Sequence, residues 1–481
     1  MTPQKLAGLA PASVFGYFEK LCSIPHGSGN TKMISDYLVS FAKEHELRYI
    51  QDELNNVILF IPASEGYEDH APVILQGHMD MVCEKDADCP IDFTTDGLDV
   101  THDGEWVYAK GTTLGGDDGI AVAYALAIAA DKSIPHPPIE VIITVDEETG
   151  MDGAVGIDLS MLEGKRLVNL DSEEEGIFTV SCAGGARAAI SMEAPRHAVY
   201  GPCIRLTVDG LAGGHSGVEI DKNRANANKV MGEFLNEVKK LMPLCLTSLA
   251  GGSKDNAIPR SCTASLVAMG MDLEPINDVA AKLQEKIRAE YNEPEAVVYA
   301  DNLDALGGNA LSTKDTDRII GLLCTVPNAV QAMCADMPDL VQTSLNLGIA
   351  KLDSDGFSLT FSVRSSVNQE KLDVLKKLED IASLYECQFD QRAHYPAWEY
   401  KADSQLREIM VKTYRDIFHQ EPQVIAIHAG LECGLLGEKI PGLDSVSIGP
   451  NMRDIHTSRE RLQIASVERM WNYLLELLKV M

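Results

Sequence analysis

Three short, unbroken apolar runs constrain this chain most: Pro72–Gly77 (PVILQG), Ile139–Val145 (IEVIITV) and Arg166–Leu170 (RLVNL). A strand with one wet face alternates apolar and polar residues. These runs do not alternate, so they read as strands buried on both faces. Asp118–Asp131, rich in Ala, Ile and Leu, reads as a helix between the first two. Buried strands separated by helices indicate an α/β sheet covered on both sides. Such sheets collect functional groups just beyond the carboxyl ends of their strands. His78, Asp80, Glu147, Glu148 and Asp171 stand at those ends.

The texture changes near Gly184-Gly185. Strand-like Ala188–Met192 and Ile204–Val208 precede a helix at Asn223–Leu241, then a helix near Pro275–Tyr291, strand-like Thr343–Ala350 and Phe357–Arg364, and a helix at Gln369–Leu384. Thr247-Ser248-Leu249 and Thr343-Ser344-Leu345 each precede a Gly-containing turn and a strand, a weak internal echo that suggests a duplicated module. After Tyr395-Pro396 the α/β pattern returns, with helices at Ser404–His419 and Ala465–Val480 and strands at Val424–Ile427 and Asp444–Ile448. The expected architecture is one α/β domain built from residues 1–186 and 395–481, with an α+β domain, 187–394, inserted between them.

A chain of 481 residues with 45% hydrophobic content can bury a large core in more than one domain. Its formal net charge of −31 disfavours nucleic acid and anionic membranes as partners. No apolar run is long enough to span a bilayer, and Met1–Lys20 lacks the pattern of a signal peptide. The 11 cysteines are scattered without a Cys-x-x-Cys, as expected for reduced thiols in the cytoplasm.

Five segments carry chemistry. In His78-Met79-Asp80, residues two apart in an extended chain share a face. The Asp can then accept one ring proton of a metal-bound His and fix its tautomer. Alone, the pair also fits a buried His beside a solvated Asp. Gly111–Gly119 (GTTLGGDDG) allows close backbone approach, but it lacks the acids of a calcium loop and the Gly-Lys-Ser/Thr of a Walker loop. An Asp here can cap the following helix and still bind metal. Asp146-Glu147-Glu148 closes a buried strand, where three carboxylates are costly unless something positive is present. Adjacent Glu residues point in different directions, so one can ligate a metal while the other moves a proton. Asp171 ends the third strand, with Glu173–Glu175 read as solvated, and a polar loop after Ser447–Pro450 reaches His456. Nitrogen and oxygen donors without thiolates suit zinc, manganese or cobalt in a hydrolytic site. The residues alone leave the number of ions open.

In order, His-x-Asp, an Asp in a Gly-rich segment, Glu-Glu, a further acid and a late His resemble the two-zinc peptidase family that includes carboxypeptidase G, aminoacylase, peptidase T and the Xaa-His dipeptidases. The strings CSIPHGS, GTTLGGDDGI, EETGMDGA, NLDSEEEG, GGHSG, NAIPR, HAGLECG and VSIGP carry the resemblance along nearly the whole chain. It implies a zinc-peptidase catalytic domain with a central mixed sheet and an inserted lid. It also implies two Zn²⁺ per chain, with Co²⁺ or Mn²⁺ as substitutes. On this resemblance His78 and Asp171 hold one ion, Glu148 and His456 the other, and Asp117 bridges them. Asp118 is then a helix-start acid. Asp80 orients His78, Glu147 is the general base, and His215 of the lid steadies the oxyanion. Asn256, Arg364 and Gly430 hold the substrate carboxylate, while His428 and Glu432 are left without a settled role. The expected substrate is a free dipeptide, with Xaa-His preferred. An aminoacylase-like amide hydrolase is the alternative, and a non-catalytic binding protein the remote one. A doubled lid either replaces a partner subunit or leaves the chain free to form a homodimer.

Overall fold

The computed structural model describes residues 5–269, 273–335, 337–338 and 340–481. The chain divides into two compact units. One comprises 1–181, 400–426 and 431–481; the other comprises 182–399 and 427–430.

The first unit is built on an eight-stranded mixed sheet. Its order is Arg48–Gln51, Val57–Ile61, Ile139–Thr144, Val73–His78, Arg166–Asn169, Asp444–Ser447, Ile177–Cys182 and Gln423–Ile427. Its centre is parallel: Val73–His78 pairs in parallel with both Ile139–Thr144 and Arg166–Asn169, and the latter pairs in parallel with Asp444–Ser447. Every residue of Val73–His78 and of Ile139–Thr144 is buried, which explains why neither run alternates. The four parallel strands end together, at His78, Thr144, Asn169 and Ser447, so the segments that follow them share one edge of the sheet.

Gly116–Ala130 supplies the helix expected from its Ala, Ile and Leu content, and all of its residues from Asp118 to Ala129 are buried. The helix begins irregularly. Asp117 and Asp118 have non-helical backbone angles, and the peptide between them is cis. Gly77 sets the distance between this helix and the sheet, because a β-carbon there would stand 2.6 Å from the Ala121 side chain. Ser404 starts the helix Gln405–Phe418 by accepting the Arg407 N–H at 3.0 Å, while its own hydroxyl donates to Asp444 at 2.6 Å. Among the described residues, no helix is long and apolar enough to cross a membrane.

The second unit is an antiparallel nine-stranded sheet with its helices packed into a single apolar core. Its main strand order is Val297–Ala310, His197–Asp209, Cys262–Ala268, Leu244–Gly251, Val341–Asp353, Gly356–Ser365, Gly184–Met192 and Gln388–Tyr395, with Ala329–Met333 paired to Val341–Asp353. This order resolves into two βαββαβ modules. One runs His197–Asp209, Ala227–Leu241, Leu244–Gly251, Cys262–Ala268, Glu274–Glu290 and Val297–Ala310. The other starts with Gly184–Met192, is interrupted by the whole first module, and resumes with Thr313–Thr325, Val341–Asp353, Gly356–Ser365, Asn368–Leu384 and Gln388–Tyr395. Their second strands join antiparallel, Leu249 opposite Leu352. The three-residue echo lies in these same second strands, so the repeat in sequence is a repeat in structure.

Candidate metal centre

The carboxyl ends of the four parallel strands, with the Gly-rich loop, bring His78, Asp117, Glu148, Asp171 and His456 into one cluster. His78 Nε2 lies 3.1 Å from Asp117 Oδ1 and 3.6 Å from Asp171 Oδ1. His456 Nε2 lies 3.2 Å from Asp117 Oδ2 and 3.0 Å from Glu148 Oε1. Asp117 thus faces one imidazole with each oxygen. Donor atoms of His78, Asp117 and Glu148 lie within 4.8 Å of one another, as do those of His78, Asp118 and Asp171.

Both histidine contacts are anomalous without a cation. His78 Nδ1 is 3.0 Å from the Asp80 carbonyl and 3.4 Å from Asp80 Oδ1, two acceptors that claim its proton. Nε2 then aims a lone pair at the carboxylates of Asp117 and Asp171, which is repulsive unless a proton or a metal ion lies between. In the protein alone a proton does this. Burial pulls the His78 pKa down, but hydrogen bonds with Asp117, Asp171 and Asp80 outweigh it and hold the ring well above its ordinary value. His456 is pushed up to about 10 by Asp117 and Glu148. Asp117 is held low against its burial by the same two rings. Two imidazoles facing three carboxylates are a donor set for divalent ions.

Asp118 is completely buried, and burial raises its pKa well above the carboxylate range. Its Oδ2 accepts the His78 N–H at 3.2 Å, whereas Oδ1 has no protein partner. It stands in the first turn of the helix, as expected, and within 4.8 Å of donor atoms of His78 and Asp171 as well. Glu147 is pushed up to about 9, first by burial and further by Asp171, Glu432 and Glu148. Its N–H donates to Asp80 Oδ1 at 3.2 Å, and Ser28 of the CSIPHGS string donates to Asp80 Oδ2 at 2.8 Å.

A model of peptidase family M20/M25/M40 matches residues 74–480. The chain belongs to that family. It is 37% identical over 479 residues to the cytosol non-specific dipeptidase of Escherichia coli, covering 99% of each chain. The solved aminoacylhistidine dipeptidase of Vibrio alginolyticus superposes with a TM-score of 0.94 at 36% identity, over 100% of this chain and 98% of that one. The aminopeptidase PepT of Bacillus cereus shares the fold, with a TM-score of 0.56 at 14% identity over 98% of both chains.

Within this M20/M25/M40 chain the inserted unit gathers the other expected residues. His215 and Ala257 are cross-strand partners, and the Ser216 N–H donates to the Asn256 carbonyl at 2.9 Å, so the GGHSG and NAIPR strings pair as a short two-stranded antiparallel ladder. His215 Nδ1 accepts the N–H groups of Gly217 at 3.2 Å and Val218 at 3.3 Å, which leaves the ring proton on Nε2 as a free donor. Burial, and then the charge of Arg364, lower the His215 pKa and favour the neutral ring. Arg364 stands opposite Ser344 in register and donates to Tyr395 Oη at 3.3 Å, and its Nε has no partner among the described residues. Ser344 Oγ is 2.7 Å from His428 Nε2. Gly430 belongs to the short segment 427–430, which clusters with this unit although both of its flanks belong to the other.

Three groups were missed, misread or left without a role by the sequence reading. Glu432 is fully buried and accepts from Gln76 Nε2 and Thr144 Oγ1, each at 2.6 Å, tying the strands that lead to His78 and Glu147. Burial pushes its pKa up to about 8. Glu460 is likewise buried, and it contacts the Gly-rich loop. The solvated reading of Glu173–Glu175 fails at Glu175. Arg469 grips that carboxylate with two bonds of 2.6 and 2.7 Å, and Ser466 adds a third at 2.7 Å. No local signal distinguished it, because its partners lie nearly 300 residues away.

Proposed function

We propose that this chain hydrolyses free dipeptides, Xaa-His among them, with two zinc ions held by His78, Asp117, Glu148, Asp171 and His456. The observation that carries the reading is Asp117, whose two oxygens face two different imidazoles at 3.1 and 3.2 Å. A carboxylate placed in this way would bridge two ions, with His78 and Asp171 holding one and Glu148 and His456 the other.

When bound, such ions would polarise the scissile carbonyl and lower the pKa of the attacking water to ~7. Asp80 keeps the His78 proton on Nδ1 and thereby directs Nε2 at the metal site. Glu147 takes a proton from the water and later delivers it to the leaving amine. Cationic charge in the site would lower its raised pKa and favour the carboxylate that takes the proton. From the inserted unit, His215 donates its Nε2–H to the developing oxyanion. Arg364, with Asn256 and the Gly430 backbone, holds the C-terminal carboxylate by the fork geometry that Arg offers. That clamp restricts substrate length and makes the enzyme a dipeptidase. The relatives' names support dipeptide cleavage and the cytosol as its place, and they differ on side-chain choice.

The test is metal analysis joined to a substrate panel. About two metals per chain are expected, with rapid cleavage of β-Ala-His and other dipeptides and slow cleavage of Gly-Gly-Gly and N-acetyl amino acids. Tripeptide cleavage at dipeptide rates would overturn the dipeptidase reading, and preferential hydrolysis of N-acetyl amino acids would favour the aminoacylase-like alternative. Sedimentation analysis of the same preparation measures whether the chain is a homodimer.

A further inference from the structure

Glu460 holds the Gly-rich loop by its main chain. Its buried carboxylate accepts four consecutive backbone N–H groups of the Gly-rich loop. Oε2 takes Leu114 at 2.7 Å and Gly115 at 3.1 Å; Oε1 takes Gly116 at 2.8 Å and Asp117 at 3.4 Å. Four parallel donors form a nest for an anion, and here the anion is a side chain of the protein itself. The loop is shaped for it. Gly115 adopts the left-handed backbone at φ +67, where a β-carbon would stand 3.0 Å from Met81 Sδ and 3.1 Å from His26 Nε2. A β-carbon on Gly116 would crowd Glu460 Oε1 at 3.2 Å. Gly116 is thus explained by Glu460, and Gly115 by its left-handed backbone at the helix start and its closeness to Met81 and His26.

Glu460 reaches the nest from the loop that carries His456. Its own N–H donates to the Thr457 carbonyl at 3.1 Å, closing a tight turn directly after that histidine. The segment 456–460 therefore grips Asp117 twice, at the side chain through His456 Nε2 at 3.2 Å and at the main chain through Glu460. These two loops are 339 residues apart in sequence.

We propose that Glu460 is a positioning residue for the metal pair, holding the Asp117 carboxylate at the setting that faces His78 and His456 together. Its action is indirect. It fixes where the main chain of residues 114–117 lies, and so where the bridging oxygens point. The proposal rests on the two-metal reading, and its test separates the two.

The experiment measures Zn²⁺ and Co²⁺ binding to the full chain by calorimetry and metal analysis, with melting temperature recorded alongside. Wild type, Glu460→Ala, Glu460→Gln and the exposed neighbour Arg459→Ala are compared. Loss of a partner one layer behind a metal ligand weakens binding by roughly 10–100-fold. Glu460→Ala should show that loss in at least one site, with the Co²⁺ spectrum losing the signature of a coupled pair. Glu460→Gln, which keeps one acceptor oxygen, should fall between Ala and wild type, and Arg459→Ala should match wild type. If Glu460→Ala does not fold, Glu460→Gln alone decides. Native affinity for both ions in a folded Glu460 variant, even one with a lowered melting temperature, reduces Glu460 to a structural brace and overturns the proposal. Failure of wild type to bind two ions overturns the two-metal reading instead.

Discussion

Asp80 Oδ1 accepts the backbone N–H of Glu147 at 3.2 Å, and the same oxygen lies 3.4 Å from His78 Nδ1. One buried carboxylate therefore positions both a proposed metal ligand and the proposed base. Asp80→Ala should damage two functions at once. Metal affinity should fall by roughly 10–100-fold, as for other partners of ligating histidines. Turnover should stay low even when excess zinc refills the site, because the Glu147 main chain has lost its anchor. Full recovery of kcat at saturating zinc would confine the role of Asp80 to His78.

Glu147 is the sharper test of chemistry. Its carboxyl is not among the atoms that face the two imidazoles, and burial first of all accounts for its raised pKa. Glu147→Gln keeps the shape and removes the base. Two metals should remain bound, while kcat falls by about 10²–10⁴, the usual worth of a general base. Loss of metal from this variant would reassign Glu147 as a ligand, and undiminished turnover would reject the assignment.

Much of the first unit was legible because burial on both faces leaves an unmistakable pattern. PVILQG, IEVIITV and RLVNL are strands, and the acids and His78 just beyond them do converge. What stayed hidden depends on contacts between distant segments. Glu460 is one acid in a polar loop until the fold sets it against residues 114–117. Glu432 lies in a short loop, yet it ends beneath two strands more than 280 residues earlier. The helix Thr313–Thr325 was also missed, and its start is set by Ser312, whose hydroxyl accepts the Asp315 N–H at 3.0 Å. The nesting of one module inside the other was invisible for a different reason: the second module begins with Gly184–Met192, more than a hundred residues before its next element.

Gly77 turns the packing of sheet on helix into a measurable quantity. A β-carbon there would meet Asp118 Oδ2 at 2.4 Å and Ala121 Cβ at 2.6 Å. Neither neighbour can withdraw easily, since Asp118 is bonded to the His78 N–H and Ala121 lies on a buried helix. Gly77→Ala should destabilise the protein by about 1–3 kcal/mol, the range for overpacking a core. It should also weaken metal binding, because the strain falls between His78 and Asp118. Chemical denaturation and metal titration measure the two effects. An unchanged midpoint would mean that the helix moves freely away from the sheet.

The pH dependence of the metal-free protein follows from the same crowding. Glu147 is raised to about 9 and Glu432 to about 8 from an ordinary 4.5. Between those limits the folded chain keeps protons that the unfolded chain has released, so stability falls as pH rises. His456, raised from 6.5 to about 10, contributes fully below 6.5 and loses its contribution as pH climbs through 10, which acts in the same direction. Asp117, held low, loses its contribution only in acid and is constant here. The chelated protein should therefore melt at a lower temperature at pH 8 than at pH 6.5, the limits set by Glu432 and His456. Zinc acts against this trend. Its ligands bind deprotonated, so affinity rises with pH, and the stabilisation grows with affinity. Melting curves in chelator and in zinc should diverge as pH rises. A gap that stays constant or narrows would show that the buried acids do not titrate against the metal site.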